Sequence, residues 1–286
     1  MSPWGGPGPG CRIWAVGSGS VLLAVALPLL IHPPAGAIEV GEGATDVRVS
    51  SALELGPEGA VTDWGYGIIE VPAASALAEP TPAARAAGEA RRLAVARLGA
   101  ALRAVRLVGD LTLGDAADRL PALAADLNRI AARADIASES LGDDGRVTAT
   151  ARLDLFADAA GVAEAALVHL GSEVSADSRA ASSELAVMTQ SVLTVDARGF
   201  GLQPCLFPRF LLSDGTPLRT RYADAIRTNR CPPVTYVRTR EDLSRRQGDR
   251  LVTHVRAAGV GGMARTDVVL LRPVDLEMPR EIIVLF

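Results

Sequence analysis

The stretch DDGRVTATARLDL, Asp143 to Leu155, decides the fold class. Asp144-Gly145 is a turn dipeptide that tolerates positive φ. Beyond it Val147, Ala149, Ala151, Leu153 and Leu155 alternate with Thr148, Thr150, Arg152 and Asp154. A period of two puts one set against a core and the other toward water, which is one strand of an antiparallel hairpin. Asp143 and Asp144 are read as turn residues, not metal ligands.

Upstream the period changes. Leu120, Leu123, Leu127 and Ile130 recur at helical spacing over Asp118 to Arg133, with Pro121 allowed only in a first turn. A longer helix is predicted from Ala83 to Val108, with Val95, Leu98, Leu102 and Val105 on one face and Arg97 and Arg103 pointing away. Its many alanines favour helix and allow close approach. Ile68, Ile69 and Val71 make a short strand before a proline-rich loop. An amphipathic helix laid on an antiparallel sheet is the simplest packing.

Downstream, GSEVSADSRAASSEL, Gly171 to Leu185, has few large apolar residues and reads as a connection. Residues 38–170 hold 20 acids and 12 arginines, net −8; residues 171–286 hold 13 acids and 16 arginines, net +3. The predicted organisation is a leader over 1–37, a helix-on-sheet unit over 38–170, a linker over 171–190 and a strand-rich unit over 191–286. In the last, Leu193, Val195 and Ala197 alternate with Thr194, Asp196 and Arg198. Further strands are expected at Cys205 to Leu212, Val234 to Val237, Leu251 to Val255, Val268 to Leu271 and Ile282 to Leu285, with short helices at Tyr222 to Thr228 and Arg240 to Arg246. The fold class is α+β, with helices packed on antiparallel sheets in two small units.

The start of the chain sets the expected compartment. Arg12, the apolar run from Ile13 to Ile31 and the small residues Ala35 to Ala37 form a secretory leader pattern, cut after Ala37. The rival reading is an uncleaved inner-membrane anchor, since about 17–25 apolar residues span a bilayer. Cys11 precedes the apolar run, so lipid attachment is not expected. Cys205 and Cys231 remain in the exported part: in an oxidising compartment they close a disulfide, or they stay as separate buried thiols, and the bond is the expectation.

Two passages carry a family resemblance. The first is Asp63-Trp64-Gly65-Tyr66-Gly67-Ile68-Ile69, followed by a proline loop and an Ala/Arg/Leu-rich helix ending in Arg106-Leu107-Val108. The second is TVDARGFGLQPCLFPRFLLSDGTPL, Thr194 to Leu218. Together they resemble LPP-type small outer-membrane lipoproteins and the N-terminal domain of flagellar assembly protein T; Thr266 to Leu276 is a looser likeness. The resemblance implies an exported envelope protein of α+β units, with relatives at the flagellar basal body or the outer membrane. Asp63, Trp64, Gly67, Asp196, Arg198, Gly199, Gly201, Pro204, Pro208, Asp214 and Gly215 are read as residues that build shape. Gly199 and Gly201 suit a bulge or a close backbone approach, and Pro204 and Pro208, lacking amide donors, demand an edge or broken strand.

Signs of catalysis are sparse. The exported part holds only His169 and His254, with no G-x-S-x-G, H-E-x-x-H or C-x-x-C. His169 ends a helical run, where a cation suits the helix dipole; His254 lies in a strand. Gly259 to Met263 is read as a turn, and no catalytic residue, metal or cofactor is expected. Nine arginines between Arg219 and Arg250, namely Arg219, Arg221, Arg227, Arg230, Arg238, Arg240, Arg245, Arg246 and Arg250, form a candidate surface for an anionic partner. Nucleic acid is not expected, since the chain is exported and net acidic.

The functional expectation is a non-enzymatic periplasmic or outer-membrane-associated accessory protein. Its partners would be envelope proteins or outer-membrane components, with homo-oligomers formed by its oppositely charged units as a further expectation. The alternatives are a module binding cell-wall polymer or lipid, and an envelope hydrolase using His254.

Overall fold

The computed structural model describes residues 52–75, 83–157, 161–174, 192–211, 222, 226, 234–247, 252–258, 267–270 and 281–286. The fold is α+β, built on two large sheets. The first is antiparallel throughout and contains β1 (Leu53–Leu55), β2 (Val61–Asp63), β3 (Ile68–Ala74), β6 (Asp135–Leu141) and β7 (Val147–Asp154), in the order β1-β2-β3-β7-β6. The hairpin that decides the fold class closes as its sequence requires. Gly145 has φ +77°, Asp144 Oδ1 accepts from Arg146 N at 3.0 Å, and Gly142 N donates to Arg146 O at 2.7 Å.

Helix α1 (Ala83–Arg103) lies on β3 and β7 of this sheet. Its buried stripe is Ala86, Ala90, Ala94, Leu98, Ala101 and Leu102, so the alanines bring the helix backbone close to the strands. The helix is shorter than expected. Ala104 N and Val105 N bond to carbonyls three residues back, tightening the last turn, and Arg106–Val108 is a strand, β4, paired with β5 (Leu111–Thr112).

The second helix pattern is two helices. In α2 (Leu113–Arg119) Asp115 N donates to Thr112 Oγ1 at 3.2 Å, and the Asp115 carboxylate accepts from Thr112 N at 3.0 Å, a capping box. Pro121 opens α3 (Pro121–Ala131), which buries Leu123, Leu127 and Ile130 while Leu120 serves as its cap residue. Gly114 fits against α1 because any Cβ there would stand 2.8 Å from Arg103 O. Helix α4 (Val162–Val174) packs on α3 and runs past the predicted start of the linker, with a non-helical Gly171 inside it. Residues 175–191 lie outside the described residues.

The second sheet contains β8 (Val192–Asp196), β9 (Phe210–Leu211), β10 (Val234–Val237), β11 (Val252–Ala258), β12 (Val268–Leu270) and β13 (Glu281–Leu285), in the order β10-β13-β8-β11-β12-β9. Here strand direction differs from the expectation. β10, β13, β8 and β11 are parallel neighbours, β12 runs antiparallel to β11, and β9 is parallel to β12. Parallel strands buried on both faces read as continuous apolar runs. One face of β8, β10 and β13 (Leu193, Val195, Val234, Tyr236, Ile282, Val284) joins the main core. The other face (Val192, Val237, Ile283, Leu285) meets Leu243 of α5 (Arg240–Gln247) in a smaller cluster.

The polar half of the alternation expected in β8 is therefore absent at Thr194, which is buried and accepts from Gln247 Nε2 at 2.7 Å. Cys205 to Leu212 is not one strand. Pairing is confined to Phe210–Leu211, after the two prolines, consistent with their missing donors.

Candidate functional site

Three of the residues that sequence singled out, Trp64, Pro204 and Cys205, meet where the two sheets join. The Asp63-Trp64-Gly65-Tyr66-Gly67 segment is the turn between β2 and β3. Asp63 Oδ1 accepts from Gly65 N at 2.9 Å and Tyr66 N at 3.3 Å, Gly67 N donates to Asp63 O at 2.7 Å, and Gly67 has φ +70°. This turn delivers Trp64, 3 % exposed, to the edge of the second sheet. Its ring stands edge-on to Tyr236 of β10 at 6.0 Å and 73°.

A closed circuit of contacts runs from there. Trp64 Nε1 donates to Glu54 Oε2 at 2.6 Å, and Arg106 Nη2 donates to Glu54 Oε1 at 2.6 Å. Arg106 Nε donates to Pro204 O at 2.8 Å. The next residue closes the loop: Cys205 N donates to Tyr236 Oη at 3.2 Å, and Tyr236 Oη donates to Cys205 O at 3.0 Å. The backbone runs in parallel with the side chains, since Leu206 N donates to Arg106 O at 3.0 Å and Phe207 N to Leu107 O at 2.8 Å. Thus β1, the β2–β3 turn and β4 on one side hold the Pro204–Phe207 segment and β10 on the other. Buried residues of both sheets belong to one contiguous core.

The chemistry of this joint is that of a fastening. Burial pushes the Cys205 thiol up to about 12, against smaller opposing effects such as the Tyr236 hydrogen bond. Burial also raises the Tyr236 phenol well above its usual value. Both stay neutral and unreactive at ordinary pH. Cys205 is a buried free thiol, 3.8 Å from Tyr236 Oη. Cys231, the other half of the expected disulfide, lies outside the described residues. The Glu54 and Arg106 side chains are 33 % and 20 % exposed, so this ion pair is the wetter part of the circuit.

The second passage has its own local logic. Gly199 and Gly201, at φ +84° and +65°, shape a turn after β8 rather than a bulge within a ladder. The Asp196 carboxylate accepts from Arg198 Nε at 2.9 Å and Nη2 at 2.6 Å, which holds it below the usual carboxylate range. Pro208 O accepts from the buried Tyr222 hydroxyl. Asp214, Gly215, Arg219, Arg221, Arg227, Arg230 and Arg250 lie outside the described residues.

Four arginines of the candidate surface are described, and they divide. Arg246 donates to Gly65 O and stacks on Tyr66 at 4.6 Å, so it belongs to the joint. Arg238 lies over Phe286 at 5.1 Å, and that ring is edge-on to Tyr236. Arg240 is exposed, as is Arg245, which lies 3.6 Å from Asp242.

The histidines are separate from the joint. His169 Nε2 is 2.9 Å from Asp126 Oδ2 between α4 and α3, and this contact chiefly holds Asp126 below its usual value. His254 sits in β11 beside Thr194 of β8. Among the described residues no cluster of three or more His, Cys, Asp or Glu side chains is placed to hold a metal ion, and no helix is long and apolar enough to cross a membrane.

Sequence reasoning missed Glu54, Arg106 and Tyr236 as partners. The one available signal was the two valines flanking Arg106-Leu107, Val105 and Val108, which the long helix pattern absorbed. No protein-family model matches the chain, and no curated protein is significantly similar to it.

Proposed function

We propose that this chain is an exported, non-catalytic accessory protein of the cell envelope, of a flagellar or outer-membrane kind, which presents surfaces of one rigid body to partners. The observation that carries the reading is the circuit Trp64–Glu54–Arg106–Pro204–Cys205–Tyr236. The two most distinctive passages of the sequence consume each other's hydrogen-bonding capacity across a joint between sheets. Residues spent this way fix a shape, and a fixed shape serves docking.

The leader pattern of residues 1–37 supports an address beyond the inner membrane. Fractionation of the native host with N-terminal sequencing tests the reading. The result expected is an envelope protein that begins at Ile38. An unprocessed chain in the cytosol overturns it.

A further inference from the structure

The parallel strands of the second sheet all end on one side, and arginines gather there. Val237, Leu285, Asp196 and Arg256 are aligned across β10, β13, β8 and β11 by the register of the ladder. Arg238 follows β10 directly, Arg198 follows β8, and Arg256 sits beside Asp196. Because β12 runs antiparallel to β11, Asp267 and Arg209, which precede β12 and β9, fall on the same side. Arg209 Nη2 donates to Asp267 Oδ2 at 2.8 Å.

Among the described residues, four exposed arginines stand against two aspartates, both held by neighbours: Asp196 by Arg198 and the nearly buried Asp267 by Arg209. Beyond Arg238 the first turn of α5 adds Arg240, Glu241 and Asp242, which lowers the excess by one charge, so the positive side of this end lies toward β8 and β11. The next feature is apolar. Phe200, 41 % exposed, projects from the turn that follows β8. Gly199 and Gly201 on either side hold left-handed φ, and Phe200 N donates to Ala197 O at 3.4 Å. The ring is therefore held out in solvent by a defined turn.

We infer that this end of the sheet docks on an anionic phospholipid surface, with the arginines at the headgroup phosphates and Phe200 entering the headgroup–acyl boundary. A soluble polyanion would use the guanidinium groups alone. The projecting aromatic beside them is the combination that interfacial binding uses. The carboxyl ends of parallel strands are also where open sheets place ligands. The inference rests on the envelope reading for its biological setting, but the binding itself does not depend on it.

Flotation of the chain purified from expressing cells, with phosphatidylcholine vesicles with and without phosphatidylglycerol, tests it. Any contribution from the apolar leader appears on both vesicle types, so the readout is the excess binding to the anionic ones. That excess should fall with added salt. At about five-fold per arginine near a charged surface, Arg198→Gln with Arg256→Gln should weaken it roughly thirty-fold. Phe200→Ser should weaken it several-fold without touching the core. Arg245→Gln, on α5, should leave it unchanged.

Equal binding to neutral vesicles, or wild-type binding by both the double variant and Phe200→Ser, overturns the inference. So does binding of soluble polyphosphate with no vesicle binding, which would mark a site for soluble polyanions. A cytosolic, unprocessed chain that still binds anionic vesicles would remove the envelope reading alone.

Discussion

Replacing Tyr236 with phenylalanine should loosen the joint while keeping its shape. The ring is 1 % exposed and packs edge-on against Trp64 at 6.0 Å and Phe286 at 5.9 Å, and these contacts survive the change. The hydroxyl is lost. With it go the acceptor for Cys205 N at 3.2 Å and the donor to Cys205 O at 3.0 Å, in a residue that is itself 1 % exposed. A buried group left without a partner costs about 1–3 kcal/mol. The amide has no second acceptor in the circuit, and the carbonyl keeps some capacity, so the expected loss is about 2–4 kcal/mol.

Cys205→Ala keeps both backbone bonds and removes only the thiol, so it should cost about 1 kcal/mol or less. Urea unfolding followed by tryptophan fluorescence measures both, since Trp64 is the only tryptophan from residue 38 onward and sits in the joint. A loss under about 0.5 kcal/mol for Tyr236→Phe would refute the reasoning. It would mean that water reaches the Cys205 amide and that the joint is not dry.

Other outcomes follow from single features. Thr112→Ala removes the capping box of α2 and should cost about 1 kcal/mol by urea midpoint. Ala90→Leu puts a large side chain where α1 meets the sheet with no exposed surface, and overpacking should cost roughly 1–3 kcal/mol by thermal unfolding. Alkaline pH should destabilise the fold. The Cys205 thiol is raised from 9.0 to about 12, so its contribution is complete below about 9 and is lost progressively toward 12; urea midpoints across that range should fall, and fall less in Cys205→Ala. At the acid end, Asp126 is lowered first by His169, so its contribution is present above the usual carboxylate range and disappears as pH falls through its depressed value. Asp126→Asn should flatten the acid limb of the same titration.

Strands β3 and β7 of the first sheet were legible because they have one wet face, whereas the three-residue β1 and β2 are too short to show a period. The alternation from Val147 to Leu155 survives in the structure, with Ala149, Ala151 and Leu155 buried. The alanine-rich α1 was legible for the same reason, although periodicity carried the reading past Arg103, where strand β4 begins. The second sheet resisted because strands buried on both faces leave no alternation to read. Val234-Thr235-Tyr236-Val237 is buried at all four positions, and nothing in such a run states strand direction. The joint was only half visible. Glycines, prolines and Asp63 marked unusual backbone, but the pairing of Arg106 with Pro204 spans 98 residues and has no local signature. Nearness in sequence also said nothing of individual roles within the arginine cluster, where Arg246 donates to Gly65 O across 181 residues.

Strand β13 lies between β10 and β8, pairing with both. The segment 281–285 is thus a central plank supplied from the far end of the sequence. Without it β10 and β8 share no neighbour. The six-stranded sheet is therefore completed late in the order of the chain, and a break in β13 should separate β10 from β8, β11, β12 and β9 while leaving the five-stranded antiparallel sheet intact.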